Sequence, residues 1–208
     1  SDVAPVYVFR LTASEEPEPA EVEIEPGFPE KHEGRLLFVP QDNLNTDGIY
    51  GKDFTYREGM TAAQMAEVVM RNYDPGFAGV VEPGDVLVGG YNFGTGSSRE
   101  QAATALQAAG IALVIGGSFS QTYLRNAFNN GFVCIECPLL VDHLKHRHSD
   151  TDVPTVVPGD VLTVDFARGT VSLGDEAFTF TPLGAVPQAL VVAGGIENQV
   201  RARLGVNA

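Results

Sequence analysis

The chain is poor in positive charge, in sulfur and in long apolar runs, and each shortage excludes something. Its 208 residues carry 13 Lys and Arg against 27 Asp and Glu, a formal net charge of −14. The basic residues neither outnumber the acids nor cluster, which excludes nucleic acid as a resting partner. No uninterrupted apolar segment is long enough to cross a bilayer, so no membrane partner is expected. No secretory leader is legible at Ser1 to Thr12, although a mature chain would already have lost one. Only two cysteines are present, Cys134 and Cys137, too few for a disulfide framework.

Much of the acid lies between Ser14 and Glu33, where Glu15, Glu16, Glu18, Glu21, Glu23, Glu25, Glu30 and Glu33 alternate with Pro17, Pro19, Pro26 and Pro29. Such a segment repels itself and cannot bury a core, so residues 1–33 read as an acidic linker or N-terminal extension. Residues 34–208 then form one folded domain. Arg35 to Val39 reads as a strand and Thr61 to Tyr73 as a helix capped by Thr61. Strands and helices alternate to Glu136, with a helix from Gln121 to Asn129 and a strand from Phe132 to Glu136. Beyond Pro158-Gly159 come short alternating strands, Val161 to Phe166, Thr170 to Leu173 and Ala177 to Phe180. Helices follow at Ala185 to Ala193 and Ile196 to Arg203. The pattern is α/β with an added C-terminal β-meander and terminal helices.

The most informative stretch is NFGTGSSREQA, Asn92 to Ala102, between the strand-like Asp85-Val-Leu-Val-Gly-Gly and a helix with one apolar face at Ala102, Ala103, Ala105, Leu106 and Ala109. A helix start offers unpaired N–H groups and a positive dipole end, suited to a carboxylate or phosphate. Arg99 adds a planar fork, and Ser97 and Ser98 add hydroxyls. A plainer reading exists: Ser97 and Glu100 have the spacing of a capping box, and Gly94 and Gly96 supply a tight turn.

The string also resembles G-x-N-F/Y-G-x-G-S-S-R-E, the signature of the swivelling domain of the aconitase superfamily, with the first glycine displaced to Gly90. Three further segments carry the same resemblance: Asn45-Thr46-Asp47 followed by Ile49, Ile111 to Ser120 with Asn126 five residues before Gly131, and the closing PLGAVPQALVVAGGI. The resemblance covers roughly Gly34 to Leu204. It implies an aconitase-type swivelling β/β/α domain, cut from a larger cluster-bearing enzyme or encoded separately from its cluster-bearing part.

It further implies the chemistry of a hydro-lyase, moving water across a β-hydroxy acid or tricarboxylate. Ser97 matches the family's catalytic base, whose alkoxide needs N–H groups and positive charge. Ser98 and Arg99 match residues that bind a substrate carboxylate, and Asp47 matches an active-site aspartate. Asp47 also reads as an Asx-turn residue, and Asn126, a weaker match, as local hydrogen bonding near a helix end. A 4Fe–4S cluster supplies the Lewis acid, held by the other part of the enzyme and not by this chain. Substrate choice is expected in the loop with Tyr50, Lys52 and Tyr56, where a lysine and tyrosines suit a further carboxylate. There the wording resembles homoaconitases of the α-aminoadipate route to lysine, converting cis-homoaconitate to homoisocitrate. A small subunit of a 3-isopropylmalate dehydratase and a non-catalytic carboxylate-binding module are the alternatives. One departure stands at Gln101, where the family has histidine.

Cys134 and Cys137 share a spacing with two of the family's three cluster cysteines, but residues three apart in a strand point to opposite faces. They read as small packing residues in a reducing compartment. His143, His146 and His148, interleaved with Lys145 and Arg147, read as a solvated basic helix end rather than metal ligands. The resemblance places the domain in the mitochondrial matrix if the source is fungal and in the cytoplasm if it is bacterial.

Overall fold

The computed structural model describes residues 21–204; the run at Glu15, Glu16 and Glu18 and the segment Ser1 to Thr12 lie outside the described residues. Four strands run parallel: β1 (Lys31–Val39), β2 (Val86–Gly89), β3 (Leu113–Gly116) and β4 (Val133–Glu136). Three more continue antiparallel from β1: β5 (Val161–Asp165), β6 (Thr170–Leu173) and β7 (Glu176–Thr179). The order β4-β3-β2-β1-β5-β6-β7 makes one seven-stranded sheet. The first strand begins at Lys31 rather than at Arg35 because it serves two partners. Its second half pairs with β2, Leu36 opposite Val86, while its first half pairs with β5, Lys31 opposite Asp165.

The parallel strands are continuous apolar runs because both their faces are covered. Leu37, Leu87, Val114 and Cys134 face α3 (Ala62–Val68), α4 (Gln101–Ala109) and α5 (Gln121–Asn129). Leu36, Phe38, Val88 and Ile115 face α6 (Pro138–Arg147) and the apolar side of the meander. Two short turns, α1 (Thr46–Ile49) and α2 (Lys52–Thr55), follow β1, and α7 (Ala185–Ala193) and α8 (Ile196–Leu204) pack against α5. Residues 21–30 carry no regular element but are held: the Glu25 amide donates to Gln188 Oε1 at 2.8 Å, and Phe28 meets Phe166 edge-on at 5.1 Å.

Two further expectations change. The helix begun by Thr61, which forms a capping box with Gln64, stops at Val68 rather than Tyr73. Met70 is buried with φ +58°, and its N–H donates to the Ile49 carbonyl at 2.7 Å. A tertiary hydrogen bond thus overrides the helical pattern and frees the next residues from the helix. The two fixed cations at the basic end of α6, Lys145 and Arg147, are ion-paired rather than simply solvated, and His143 contacts a carboxylate. Lys145 Nζ meets Asp42 at 2.5 Å, Arg147 meets Asp160 at 2.9 Å and His143 meets Glu176 at 3.2 Å.

The loops after β1 and β2 emerge from the carboxyl ends of adjacent parallel strands, where open α/β sheets bind ligands. They are zipped together: the Asn43 amide donates to the Tyr91 carbonyl, the Gly94 amide to the Leu44 carbonyl and the Thr46 amide to the Thr95 carbonyl, each at 2.8 Å. Gly94 has φ +75°, and a Cβ there would run into the ring of Tyr123. That ring is buried, edge-on to Phe93 at 5.4 Å and stacked on Phe119 at 6.0 Å. Gly94→Ala therefore combines left-handed strain with overpacking and is expected to cost roughly 3 kcal/mol in urea unfolding. A loss below about 1 kcal/mol would mean that the ring yields freely.

Candidate active site

Asp47 sits in the first turn of α1, started by Asn45, whose side chain accepts from the Gly48 amide at 2.8 Å. Its Oδ1 accepts from Arg99 Nη1 at 2.9 Å and from the Lys52 amide at 2.8 Å. Its Oδ2 and its carbonyl both accept from Asn72 Nδ2, at 3.2 and 3.0 Å. Asp47 thus makes a local turn bond and a long-range ion pair at once. Arg99 Nη1 also donates to the Tyr50 carbonyl at 3.0 Å. Both hydrogens of that nitrogen are then used. Among the described residues Nε and Nη2 of Arg99 have no partner, so one edge of the fork remains free for a carboxylate. The hydrogen bond from Arg99, followed by that from the Lys52 amide, holds the Asp47 carboxyl below the usual aspartate value.

The signature serines are not spent on helix capping. Glu100 is the N-cap of α4, its backbone is helical and its side chain makes no capping bond. The Ser97 carbonyl accepts from Thr46 Oγ1 at 2.9 Å, while the Ser97 hydroxyl is exposed and unpartnered among the described residues. Ser98 Oγ accepts from Asn126 Nδ2 at 3.1 Å, and Asn126 is buried. Among the described residues no acceptor pairs with the amides of Gly96 through Gln101. Free amides beside a guanidinium form a cradle for negative charge. The positive φ of Gly94 and Gly96 shapes this turn, as expected of both glycines.

The fold brings Ser98 and Asn126 into contact, and Asp47 and Arg99, and strings Ser97 to Arg99 along one turn. The expected specificity loop divides. Tyr50 is buried in the core and gives the site only its carbonyl, Lys52 is exposed and contributes its amide to Asp47, and Tyr56 is 77% exposed. Beside them the Arg57 guanidinium lies 4.9 Å from the centre of the Phe54 ring. Asn72 and Thr46 were not legible as site residues, and Asn72 falls in what reads as helix. Cys134 and Cys137 are free, buried on opposite sides of the sheet, and burial pushes both thiols up. They do not fit an iron–sulfur cluster. Among the described residues no group of three or more His, Cys, Asp and Glu could hold a metal, and no helix is long and apolar enough to cross a membrane.

Fold and site together define an α/β domain that offers a carboxylate one guanidinium edge, two serine hydroxyls and a run of free amides. The family described as "Aconitase C-terminal domain" matches residues 12–139, and the chain belongs to that family. It is 41% identical to a mitochondrial homoaconitase of Candida albicans over 89% of this chain and 28% of that protein. A mitochondrial homoaconitase of Chaetomium globosum is 44% identical, over 93% and 25%. One from Cryptococcus neoformans is 44% identical, over 95% and 32%. The chain therefore spans about a third or less of these relatives. Among solved structures it is similar to a 3-isopropylmalate dehydratase from Methanocaldococcus jannaschii. The TM-score is 0.70 and the identity 27%, with 85% of this chain and 96% of that one covered.

Because Asp47 is depressed in the folded state, its ion pair stabilises the fold fully above the unfolded aspartate value of 3.8. That contribution is lost as pH falls through the lower, folded value. The carboxylate is 46% exposed, so solvent screening keeps the pair to roughly 0.5–1 kcal/mol. In urea unfolding Asp47→Asn should trail the wild type by that amount at pH 7 and converge with it near pH 2. A gap that stays constant down to pH 2 would contradict the assignment.

Proposed function

We propose that this chain is the substrate-gripping and base-supplying domain of a homoaconitase, a hydro-lyase of lysine biosynthesis, converting cis-homoaconitate to homoisocitrate. The observation that carries the reading is the pairing, within one turn, of an unengaged Ser97 hydroxyl with an arginine pinned by a single nitrogen. Arg99 takes one substrate carboxylate on its free edge, and Ser98, whose Oγ accepts from Asn126 Nδ2, donates its O–H to the same carboxylate. In the dehydration direction Ser97, as alkoxide, removes the proton from the carbon beside the one that bears hydroxyl. In the hydration direction its O–H returns that proton. The unpaired amides from Gly96 to Gln101 and the Arg99 charge make the alkoxide accessible.

Departure of hydroxide calls for a Lewis acid, and the cysteines of this chain are not arranged to hold one. The cluster-bearing part then lies on the same polypeptide or on a large subunit. The relatives, all mitochondrial homoaconitases, support homoaconitase chemistry and a mitochondrial setting. The solved neighbour supports 3-isopropylmalate dehydratase as the alternative, at lower identity. The exposed Lys52 and Tyr56 favour a substrate with a further carboxylate over one with an apolar group.

The test combines this chain, without oxygen, with its reconstituted cluster-bearing part and compares cis-homoaconitate, cis-aconitate and isopropylmaleate. Preference for cis-homoaconitate is expected, with kcat lowered about 1000-fold or more by Ser97→Ala. Preference for isopropylmaleate would move the chain to leucine biosynthesis. Turnover that survives Ser97→Ala would remove the serine from its role. No turnover by an intact cluster would favour a carboxylate-binding module without catalysis.

A further inference from the structure

The geometry points to Asn72 as a positioning residue for Arg99, acting through Asp47. This rests on the reading that Arg99 grips a substrate carboxylate.

Asn72 lies 25 residues from Asp47 in sequence, yet its Nδ2 donates to two atoms of that one residue, the carbonyl at 3.0 Å and Oδ2 at 3.2 Å. Both amide hydrogens are committed there. The chain around Asn72 is built to deliver it. Met70 leaves the helix with φ +58° to bond the Ile49 carbonyl. On the far side Tyr73 Oη donates to the Pro154 carbonyl, and Asp74 accepts from Thr155 Oγ1 at 2.6 Å. Asn72 is therefore a fixed point between two anchored neighbours.

A second observation comes from Gly51. Its φ of −60° and ψ of 143° are open to any residue, so the backbone does not demand glycine there. A Cβ at Gly51 would stand 2.9 Å from Asn72 Nδ2. The missing side chain makes room for the amide to reach Asp47. The consequence for the site is rotational. With Oδ1 held by the Lys52 amide and Arg99, the carboxylate plane still needs a partner on Oδ2, and Asn72 supplies it. A fixed carboxylate fixes the direction of Arg99 Nη1, and with it the direction of the free edge. Asn72 itself does not touch that edge.

The experiment uses the complete enzyme, this chain with its cluster-bearing part. Asn72→Ala is expected to raise KM for cis-homoaconitate about tenfold and to leave kcat within about twofold, because carboxylate grip acts on ground and transition states alike. Gly51→Ala should do the same from the other side of the contact. In an Asp47→Ala background Asn72→Ala should change KM by less than about twofold, because the carboxylate that links Asn72 to Arg99 is gone and the Asp47 carbonyl, which Asn72 still holds, does not touch Arg99. A parallel readout is 15N NMR of this chain alone. Arg99 should show slow guanidinium rotation, with separate Nη signals, in the wild type, and these should merge in Asn72→Ala and Gly51→Ala. A full KM penalty persisting in the Asp47→Ala background, or Arg99 signals indifferent to both variants, would overturn the inference. If the wild type turned over none of the acids, the functional reading would fall, and the Arg99 signals would still decide the role of Asn72.

Discussion

The contact between Arg99 and Asp47 is the constraint on which the site depends. It closes the loop after β1 onto the loop after β2, and it does so with one guanidinium nitrogen. Arg99 is 12% exposed and Asp47 46%, a pair too open to the solvent to stabilise the fold by much. Its value is orientational. A guanidinium is a planar fork, so pinning Nη1 between Asp47 and the Tyr50 carbonyl determines where the remaining donors point. An ammonium in the same place would carry the charge but not the direction.

That orientation is inherited from the sheet. Parallel strands deliver their following loops to one end, and buried apolar runs on both faces hold the strand register. Backbone hydrogen bonds then knit the two loops, from Asn43 to Tyr91 and from Thr46 to Thr95. The net charge of −14 repels a polyanion at long range. In the turn before α4 the local groups are of the opposite kind: amides without a partner among the described residues adjoin Arg99. A partner that covers this face would exclude water and strengthen every such interaction.

What was legible in the sequence is what local chemistry decides. The apolar runs at β2 and β3, the boundaries of α5, the cap at Thr61 and the short strands of the meander all follow from nearest neighbours. The signature turn was legible because glycines, serines and arginine are rarely combined so densely. What was hidden depends on distant partners. The end of α3 is set by a bond from Met70 to Ile49, the partners of Lys145 and Arg147 on α6 are Asp42 and Asp160, and the first half of β1 is set by β5. Ser97 and Glu100 have the spacing of a capping box, yet α4 begins after Glu100, which stands at the N-cap without a side-chain capping bond, and the box does not form. Tyr50 reads as a loop residue facing the substrate and instead fills the core, leaving its carbonyl to steer Arg99.

The central claim is that Arg99 acts by direction and not by charge alone, and Arg99→Lys in the complete enzyme tests it most directly. The account predicts that kcat/KM for the preferred acid falls about 100-fold or more although the positive charge is kept, since lysine cannot pair with Asp47 and a carboxylate in one plane. A lysine variant within about threefold of the wild type would contradict it, and would reduce the contact with Asp47 to a simple pairing of opposite charges.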